Sequence, residues 1–186
     1  MARTWKTWIA ADPHYSPNLS RTSLDFAPDL SKPDGLFCAY ARTASDQVTP
    51  RLSHGHVIGQ EFVADHDDLC GIAVKLATYG QTVPGGVALR LRESRSSSSD
   101  LAVADADVRP IRDNEYHLFM FPPVRDSAQR KLYFCLEAVH AGADDRVAAW
   151  TSRDIDETMG PYIAGEVTGR GTLAFKLFTR LAAVRT

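Results

Sequence analysis

The segment SHGHVIGQE, residues 53–61, has residue types and a spacing that could support metal chemistry. His54, His56 and Glu61 supply two imidazoles and a carboxylate, a ligand set suited to a divalent metal such as Fe(II), Mn(II) or Ni(II). Side chains on an extended strand, however, alternate between its two faces. His54 and His56 therefore share one face while Glu61 lies on the other, unless a bulge intervenes.

The H-x-H-x4-E spacing resembles the first motif of the cupins, a resemblance that implies a metal-dependent enzyme. Two other parts of the cupin pattern are missing. Val48 stands where that motif has a glycine, and neither His117 nor His140 follows the P-x-G turn that precedes the last ligand. We therefore predict two surface histidines at the start of a strand and no cofactor, and we keep a cupin-like metal enzyme as a lesser alternative.

Hydrolytic chemistry is the next possibility, because Asp154, Asp156 and Glu157 lie close together in one polar stretch. A glycosidase needs two carboxylates on opposite sides of the scissile bond, and one of them must be partly desolvated. Acids crowded into one loop are mostly solvated, and G-x-S-x-G, H-E-x-x-H and C-x-x-C motifs are absent from the sequence. We predict that the protein is not an enzyme.

A second acidic stretch, ADHDDL, could bind structural calcium through Asp65, Asp67 and Asp68, because hard cations take several oxygen ligands. The spacing is not that of an EF-hand, and aspartate is also a common turn residue. A solvated turn before the next strand is the favoured interpretation.

Aromatic residues near predicted strand ends offer a different chemistry. Sugars present faces of C–H groups and rims of hydroxyls, so their sites combine an aromatic plane with charged or amide groups. Trp150, Arg153, Asp154 and Tyr162 have that composition, and Tyr79 lies near another strand end. We predict that these five residues bind ligand. The alternative is that Trp150 closes the core, as tryptophans at strand ends often do.

The elements that must position these residues are strands. From about Gly35 onward, short apolar runs alternate with turn residues, which predicts an all-β, antiparallel β-sandwich or barrel. The ten predicted strands are GLFCAYAR, HVIGQEFVA, LCGIAVKLATY, GVALRLRE, DLAVADADV, EYHLFMF, KLYFCLEAV, RVAAWT, YIAGEV and TLAFKLFTRL.

Three details of these strands can be predicted from the residue pattern. TLAFKLFTRL alternates, with Leu173, Phe175 and Leu177 on one face, so it is half-buried. KLYFCLEA is apolar on both faces, so it lies mid-sheet under a cover. Pro122 and Pro123 end the strand EYHLFMF, because proline cannot donate to a ladder. SRSSSSD, residues 94–100, is a polar hairpin tip.

Residues 1–34 differ from the rest because they contain four prolines and many Ser and Asp residues between Ala11 and Asp34. They are predicted to form an irregular N-terminal arm, with residues 35–186 as the sandwich domain. Trp5, Trp8 and Phe26 predict that the arm packs on the sandwich or on a neighbouring chain.

Composition excludes several classes of partner. A net charge of −2 and a pI near 6.3 provide no field that favours nucleic acid or an anionic membrane. No signal peptide or long apolar run is present, so a cytoplasmic location without membrane insertion is expected. Cys38, Cys70 and Cys135 are widely spaced and odd in number, and we predict buried free thiols on strands.

The order of the elements from residue 36 to residue 180 resembles a family of bacterial jelly-roll carbohydrate-binding modules that accompany glycosyltransferases and other surface-polysaccharide proteins. The resemblance rests on GQEF (59–62), TYG (78–80), FPP (121–123), Asp126, Ser127, Tyr133, Tyr162, Gly165 and Glu166. It implies a jelly-roll sandwich that binds glycan or polysaccharide without catalysis, with a polysaccharide-synthesis protein as a partner. A protein-interaction or dimerisation module is the alternative.

Overall fold

The computed structural model describes residues 36–53, 55–81, 86–105, 111–139, 146–157 and 159–180, so the predicted arm, residues 1–34, lies outside the described residues. The described chain forms thirteen strands. The first seven are β1 (Leu36–Ala41), β2 (Gln47–Val48), β3 (Ile58–Val63), β4 (Leu69–Ala77), β5 (Val87–Arg92), β6 (Ala102–Asp105) and β7 (Tyr116–Val124). The remaining six are β8 (Lys131–Ala138), β9 (Ala148–Ser152), β10 (Ile163–Ala164), β11 (Val167–Thr168), β12 (Thr172–Leu173) and β13 (Phe175–Arg180). The described residues contain no helix that could cross a membrane.

The strands form two antiparallel sheets that pack face to face, as predicted. Sheet 1 contains the order β1-β13-β4-β7, and sheet 2 contains β3-β8-β5-β6. The chain passes between the two sheets repeatedly, as it does in antiparallel β-sandwiches. Sheet 1 is extended by β9, which pairs with β2, β12 and the end of β4. Sheet 2 is extended by the small hairpin β10–β11, which pairs with β3.

The core lies between the two sheets and is built from the alternate residues that the strand patterns predicted. Phe62 and Phe134 of sheet 2 meet Phe175 of sheet 1, with ring centroids 5.4 to 6.2 Å apart. Such tilted aromatic contacts are more favourable than stacked faces. All three rings are almost fully buried, so the predicted inward face of the last long strand is confirmed.

Strand β8 is apolar on both faces because it is the middle strand of sheet 2, between β3 and β5. Leu132, Phe134 and Leu136 face the core, while Tyr133 and Cys135 lie on the outer side and are still buried. The outer face of β8 is therefore covered, as predicted. Cys70 and Cys135 are buried free thiols as predicted, whereas Cys38 is only partly buried.

Two predicted details are wrong. Pro122 and Pro123 do not end β7, which continues to Val124 and pairs with Leu69 beyond a bulge. Within the described residues β7 pairs only with β4, and an edge strand tolerates residues without an N–H donor. The segment YIAGEV is not one strand, because Gly165 has a positive φ of 61° and turns the chain between β10 and β11.

A buried amide side chain, that of Gln60 on β3, connects the sheets to the segment before β12. Its Nε2 donates to the carbonyl oxygens of Met159 and Gly160 at 3.1 Å, and its Oε1 accepts from the Leu173 N–H at 3.1 Å. Gln60 is completely buried. Without these bonds, the Gly160 carbonyl would keep the Thr172 hydroxyl as a donor at 3.0 Å. The Met159 carbonyl and the Leu173 N–H, however, would be desolvated and unpaired.

We predict that Gln60→Leu lowers the free energy of unfolding by about 3 kcal/mol, because an apolar group of similar size leaves those main-chain groups without partners. Urea unfolding followed by circular dichroism measures the change. The matched control is Gln47→Leu on the short strand β2, where the side chain is only partly buried. A Gln60→Leu protein as stable as the Gln47→Leu protein would contradict the assignment.

Candidate functional site

A concavity of the described chain surrounds His56 and is lined in part by the hairpin β10–β11. A larger cavity of about 530 Å³ includes Arg92 and Tyr133 of sheet 2 in its lining, and a smaller cavity of about 290 Å³ includes Tyr162. Both are lined by His56, Val57, Ala164, Gly165 and Val167. We call the two cavities together the His56 groove.

The local chain explains why the groove forms at this edge. Ile163 and Ala164 pair with Gly59 and Ile58 of β3, and the Gly165 N–H donates to the Val57 carbonyl at 2.8 Å. Each strand of the hairpin is only two residues long, so the turn at Gly165 projects beside the sheet. The hairpin thus forms a wall that lines both cavities.

His56 is held at the junction by a short turn. Its backbone N–H donates to the Ser53 carbonyl at 2.9 Å, and its Nδ1 lies 3.0 Å from the Ser53 hydroxyl. The imidazole packs against Gly165, where a Cβ would lie only 3.0 Å from the ring. The exposed imidazole therefore keeps Nε2 as a further donor or acceptor within the groove.

Tyr133 forms part of the wall of the larger cavity. Its ring lies across Gly59 of the neighbouring strand, where any Cβ would overlap the phenol. The hydroxyl is buried and has no hydrogen-bond partner among the described residues. Burial raises the pKa of Tyr133 to about 12, so the group stays a neutral O–H donor.

Arginines form the other side of the larger cavity. Arg92 donates through Nε to Asp100 at 2.6 Å, and Asp100 also accepts from Arg90 at 2.6 Å. Burial acts to raise the pKa of Asp100, but the hydrogen bonds from Arg92 and Arg90 outweigh it and the pKa is lowered. Asp100 is therefore ionised and fixes both guanidinium groups against the outer face of sheet 2.

Arg95 is exposed on the β5–β6 connection, within the segment predicted as a hairpin tip. Its Nη2 donates to the Gly165 carbonyl at 2.9 Å and so links that connection to the hairpin β10–β11. No carboxylate pairs with Arg95 in the part of the chain that the structure describes. The polar composition of this connection predicts a hairpin tip and does not indicate a contact beyond β5 and β6.

Tyr162 lines the smaller cavity but belongs mainly to the core, since only 8% of its surface is exposed. Its ring covers Gly169, where a Cβ would overlap it. Backbone bonds to Gly171 and Gly169 fix its position at 2.9 and 2.8 Å. Tyr162 therefore offers an edge to a ligand and not an open ring face.

Tyr79 and Trp150 lie at a turn region joined by side-chain hydrogen bonds. The Trp150 indole donates to Asn114 at 2.9 Å, and Lys75 lies 5.1 Å from its ring centroid. The Asn114 amide donates to Asp113, whose carboxylate accepts from the N–H groups of Tyr79 and its neighbours. Trp150 is partly exposed and Tyr79 is 45% exposed.

Arg153 and Asp154 belong to a third environment. Arg153 donates from its backbone N–H to Asp46 at 3.0 Å, and its guanidinium lies 3.8 Å from the same carboxylate. The Asp154 carbonyl accepts from Arg42 at 2.7 Å. The contacts of the five predicted site residues therefore do not join them into a single surface. Arg51, 4.2 Å from the Tyr79 ring centroid, also lines the smaller cavity with Tyr162.

The proposed metal ligands are engaged in other contacts where the structure describes them. Glu61 pairs with Lys131 at 2.6 Å, and Asp67 accepts from the Ala128 N–H at 2.9 Å. His54 lies outside the described residues. Within those residues no group of three or more His, Cys, Asp or Glu is placed to hold a metal ion.

Comparison with known proteins provides no assignment. No protein-family model matches the chain, and no curated protein matches it.

One prediction arises from the turn beneath Tyr79. The Asp113 carboxylate accepts from the backbone N–H groups of Thr78, Tyr79 and Gly80 at 2.6, 3.0 and 3.0 Å. These bonds lower the pKa of Asp113, and the bond from the Thr78 N–H contributes most. A lowered carboxyl pKa means that the stabilisation is complete above the ordinary value and is lost as the pH falls through the folded value.

We therefore expect the three amide proton shifts to be constant above about pH 4 and to move as the pH falls further. NMR spectra recorded along that titration provide the measurement. Asp113→Asn, which has no charge to lose, is the matched control and should show no such transition. The same transition in both proteins would mean that another group controls the turn.

Proposed function

We propose that this protein is a non-catalytic carbohydrate-binding module and that its binding site is the His56 groove. The observation that carries the proposal is the pair of adjoining cavities, of about 530 and 290 Å³, on a β-sandwich framework. Volumes of this order are typical of small-ligand sites, which usually combine apolar walls with a few placed polar groups.

The chemistry of the groove is suited to a sugar. Val57, Ala164 and Val167 provide apolar surface for C–H faces, and Val167 is 69% exposed beside the cavities. The His56 imidazole and the Arg95 guanidinium provide polar contacts for hydroxyl groups. A chain of sugar units long enough to pass the hairpin would occupy both cavities.

A binding role is also supported by the contacts of the acidic loop. Asp156, one of the clustered acids, accepts from the Tyr40 hydroxyl at 3.0 Å and lies 3.6 Å from Arg42. The backbone N–H of Asp156 donates to Thr172 at 2.9 Å. These bonds hold the loop against β1 and β12. The Asp156 carboxylate therefore has a structural role.

The biological setting in this proposal comes from the sequence resemblance of residues 36–180. A module of this kind would hold a polysaccharide close to a glycosyltransferase or another protein of bacterial surface-polysaccharide synthesis or modification. The partner would act on the glycan that the module retains.

A protein-interaction module is the second candidate, and one observation favours it. Leu118 and Met120, exposed by 39% and 40%, lie on the outer side of β7, and both approach Gly71 of β4. Exposed apolar side chains that adjoin one another are typical of contact surfaces. Light scattering after size exclusion would test for self-association, and Leu118→Ser should abolish any dimer that uses this face.

We predict that glycan titration moves the amide resonances of residues 55–57 and 163–169, and that His56→Ala weakens binding by roughly tenfold. The probes are neutral, acidic and deoxy oligosaccharides followed by NMR. Lys176→Ala is the control, because Lys176 lies on the outer side of sheet 1, 4.3 Å from the Tyr116 ring centroid.

Trp150→Ala and Tyr79→Ala separate the groove from the turn region that the sequence favoured. Loss of binding in either of these variants but not in His56→Ala would move the site to that turn. No resonance shift with any of the sugars would end the proposal of carbohydrate binding.

A further inference from the structure

We propose that the larger cavity of the His56 groove selects an acidic sugar unit and binds its carboxylate through Arg95 and Arg92. This inference rests on the proposed glycan-binding function and names the substrate class. It goes beyond that function because the groove as a whole would also accept neutral sugars. Four side chains carry it: Arg92, Arg95, Tyr133 and Glu166.

Arg95 is placed to act as a clamp. One of its five N–H donors is used by the Gly165 carbonyl. No carboxylate of the described chain pairs with it, so its charge is not neutralised by a bonded partner. A guanidinium held at one nitrogen still presents a fork of donors, and that fork matches the two oxygens of a carboxylate.

Arg92 provides a second, more rigid cation on the same wall. Its Nε is held by Asp100, which leaves its two terminal nitrogens as donors toward the cavity that it lines. Because Asp100 is shared with Arg90, and Arg90 also pairs with Glu137, the inner network balances two arginines with two carboxylates. Among the described residues, Arg95 is then the cavity-lining arginine without a bonded carboxylate.

Tyr133 adds an independent observation that points to a ligand. Its hydroxyl is buried with only 1% of the residue exposed, lies at the cavity wall and has no partner among the described residues. An unsatisfied buried hydroxyl is unfavourable, and a carboxylate oxygen that reaches it from the cavity would accept from it. Because burial raises its pKa to about 12, this group donates and carries no negative charge.

Glu166 sets the opposite charge at the mouth of the same cavity, on the turn of the hairpin. Its carboxylate repels an acidic ligand and leaves a neutral one unaffected. Removing the Glu166 charge should therefore strengthen binding of an acidic ligand. A purely structural role for the arginines would not produce that change in affinity.

The experiment compares two ligands of matched length, an oligogalacturonide and the neutral galactose oligosaccharide, by isothermal titration calorimetry. We expect the acidic ligand to bind at least tenfold more tightly, with an affinity that falls as salt is added. Arg95→Gln should remove most of that preference, because it weakens binding of the acidic ligand far more than binding of the neutral one. Arg112→Gln, an equal charge change at a side chain that is 78% exposed, is the control.

Two further variants should each change the affinity for the acidic ligand in a predicted direction. Glu166→Gln should strengthen binding of the acidic ligand only. Tyr133→Phe should weaken binding of the acidic ligand several-fold while leaving the melting temperature unchanged or raised, because it deletes a buried hydroxyl that lacks a partner. A Tyr133→Phe protein with lower stability and unchanged affinity would contradict the role of the hydroxyl.

The outcomes separate this inference from the proposed function. Equal binding of both ligands, with Arg95→Gln affecting neither or both alike, overturns acidic selectivity but leaves carbohydrate binding intact. Binding of neither ligand removes both proposals. Inorganic phosphate that competes as strongly as the oligogalacturonide would show a simple anion site and overturn the sugar acid as the ligand.

Discussion

The buried amide of Gln60 is the contact on which the arrangement of this protein depends most. It lies on β3 of sheet 2, yet it bonds to the chain immediately before the hairpin and to the first residues of the return into sheet 1. A completely buried amide must use its donors and its acceptor within the protein. The position of residues 159–173 relative to β3 is therefore set by hydrogen bonding, and the hairpin β10–β11 is the outermost part of that segment. The His56 groove exists because this wall is held there.

A second constraint acts on the outer side of sheet 2. Gly59 has no side chain, and the ring of Tyr133 fills the resulting gap on the neighbouring strand. The contact buries an aromatic ring on a face that otherwise carries the ion pairs of Arg90 and Arg92. Covering a glycine in this way protects the backbone but leaves the phenol oxygen where water and partners are scarce. The same packing choice thus stabilises the sheet and creates the unpaired donor beside the cavity.

Much of the fold could be predicted from the sequence, because strand patterning depends on nearest neighbours and on burial. Leu173, Phe175 and Leu177 alternate with polar residues, and that alternation is sufficient to place them in the core. The site could not be predicted in the same way. Arg95 lies in a serine-rich connection whose composition indicates only a turn, and its contact with Gly165 joins residues 70 positions apart. The apolar pattern of β8 predicts that Tyr133 is covered, and only the fold brings its hydroxyl to the wall of a cavity.

The aromatic residues show how local composition and tertiary placement diverge. Trp150, Tyr79 and Tyr162 all lie near strand ends, and composition alone favoured a common surface. In the fold, Tyr162 is drawn over Gly169 toward the core, while Tyr79 is carried outward on a turn fixed by Asp113. The difference arises because the Tyr162 ring gains buried area beside a glycine. Tyr79, with a positive φ in a tight turn, has the Arg51 guanidinium over its ring and stays 45% exposed. A groove formed by such loops can change its lining without disturbing the sheets, since few core contacts depend on it. Selection for a new ligand would then act on residues 55–57, 95 and 163–169, while Gln60 and the three core phenylalanines maintain the scaffold.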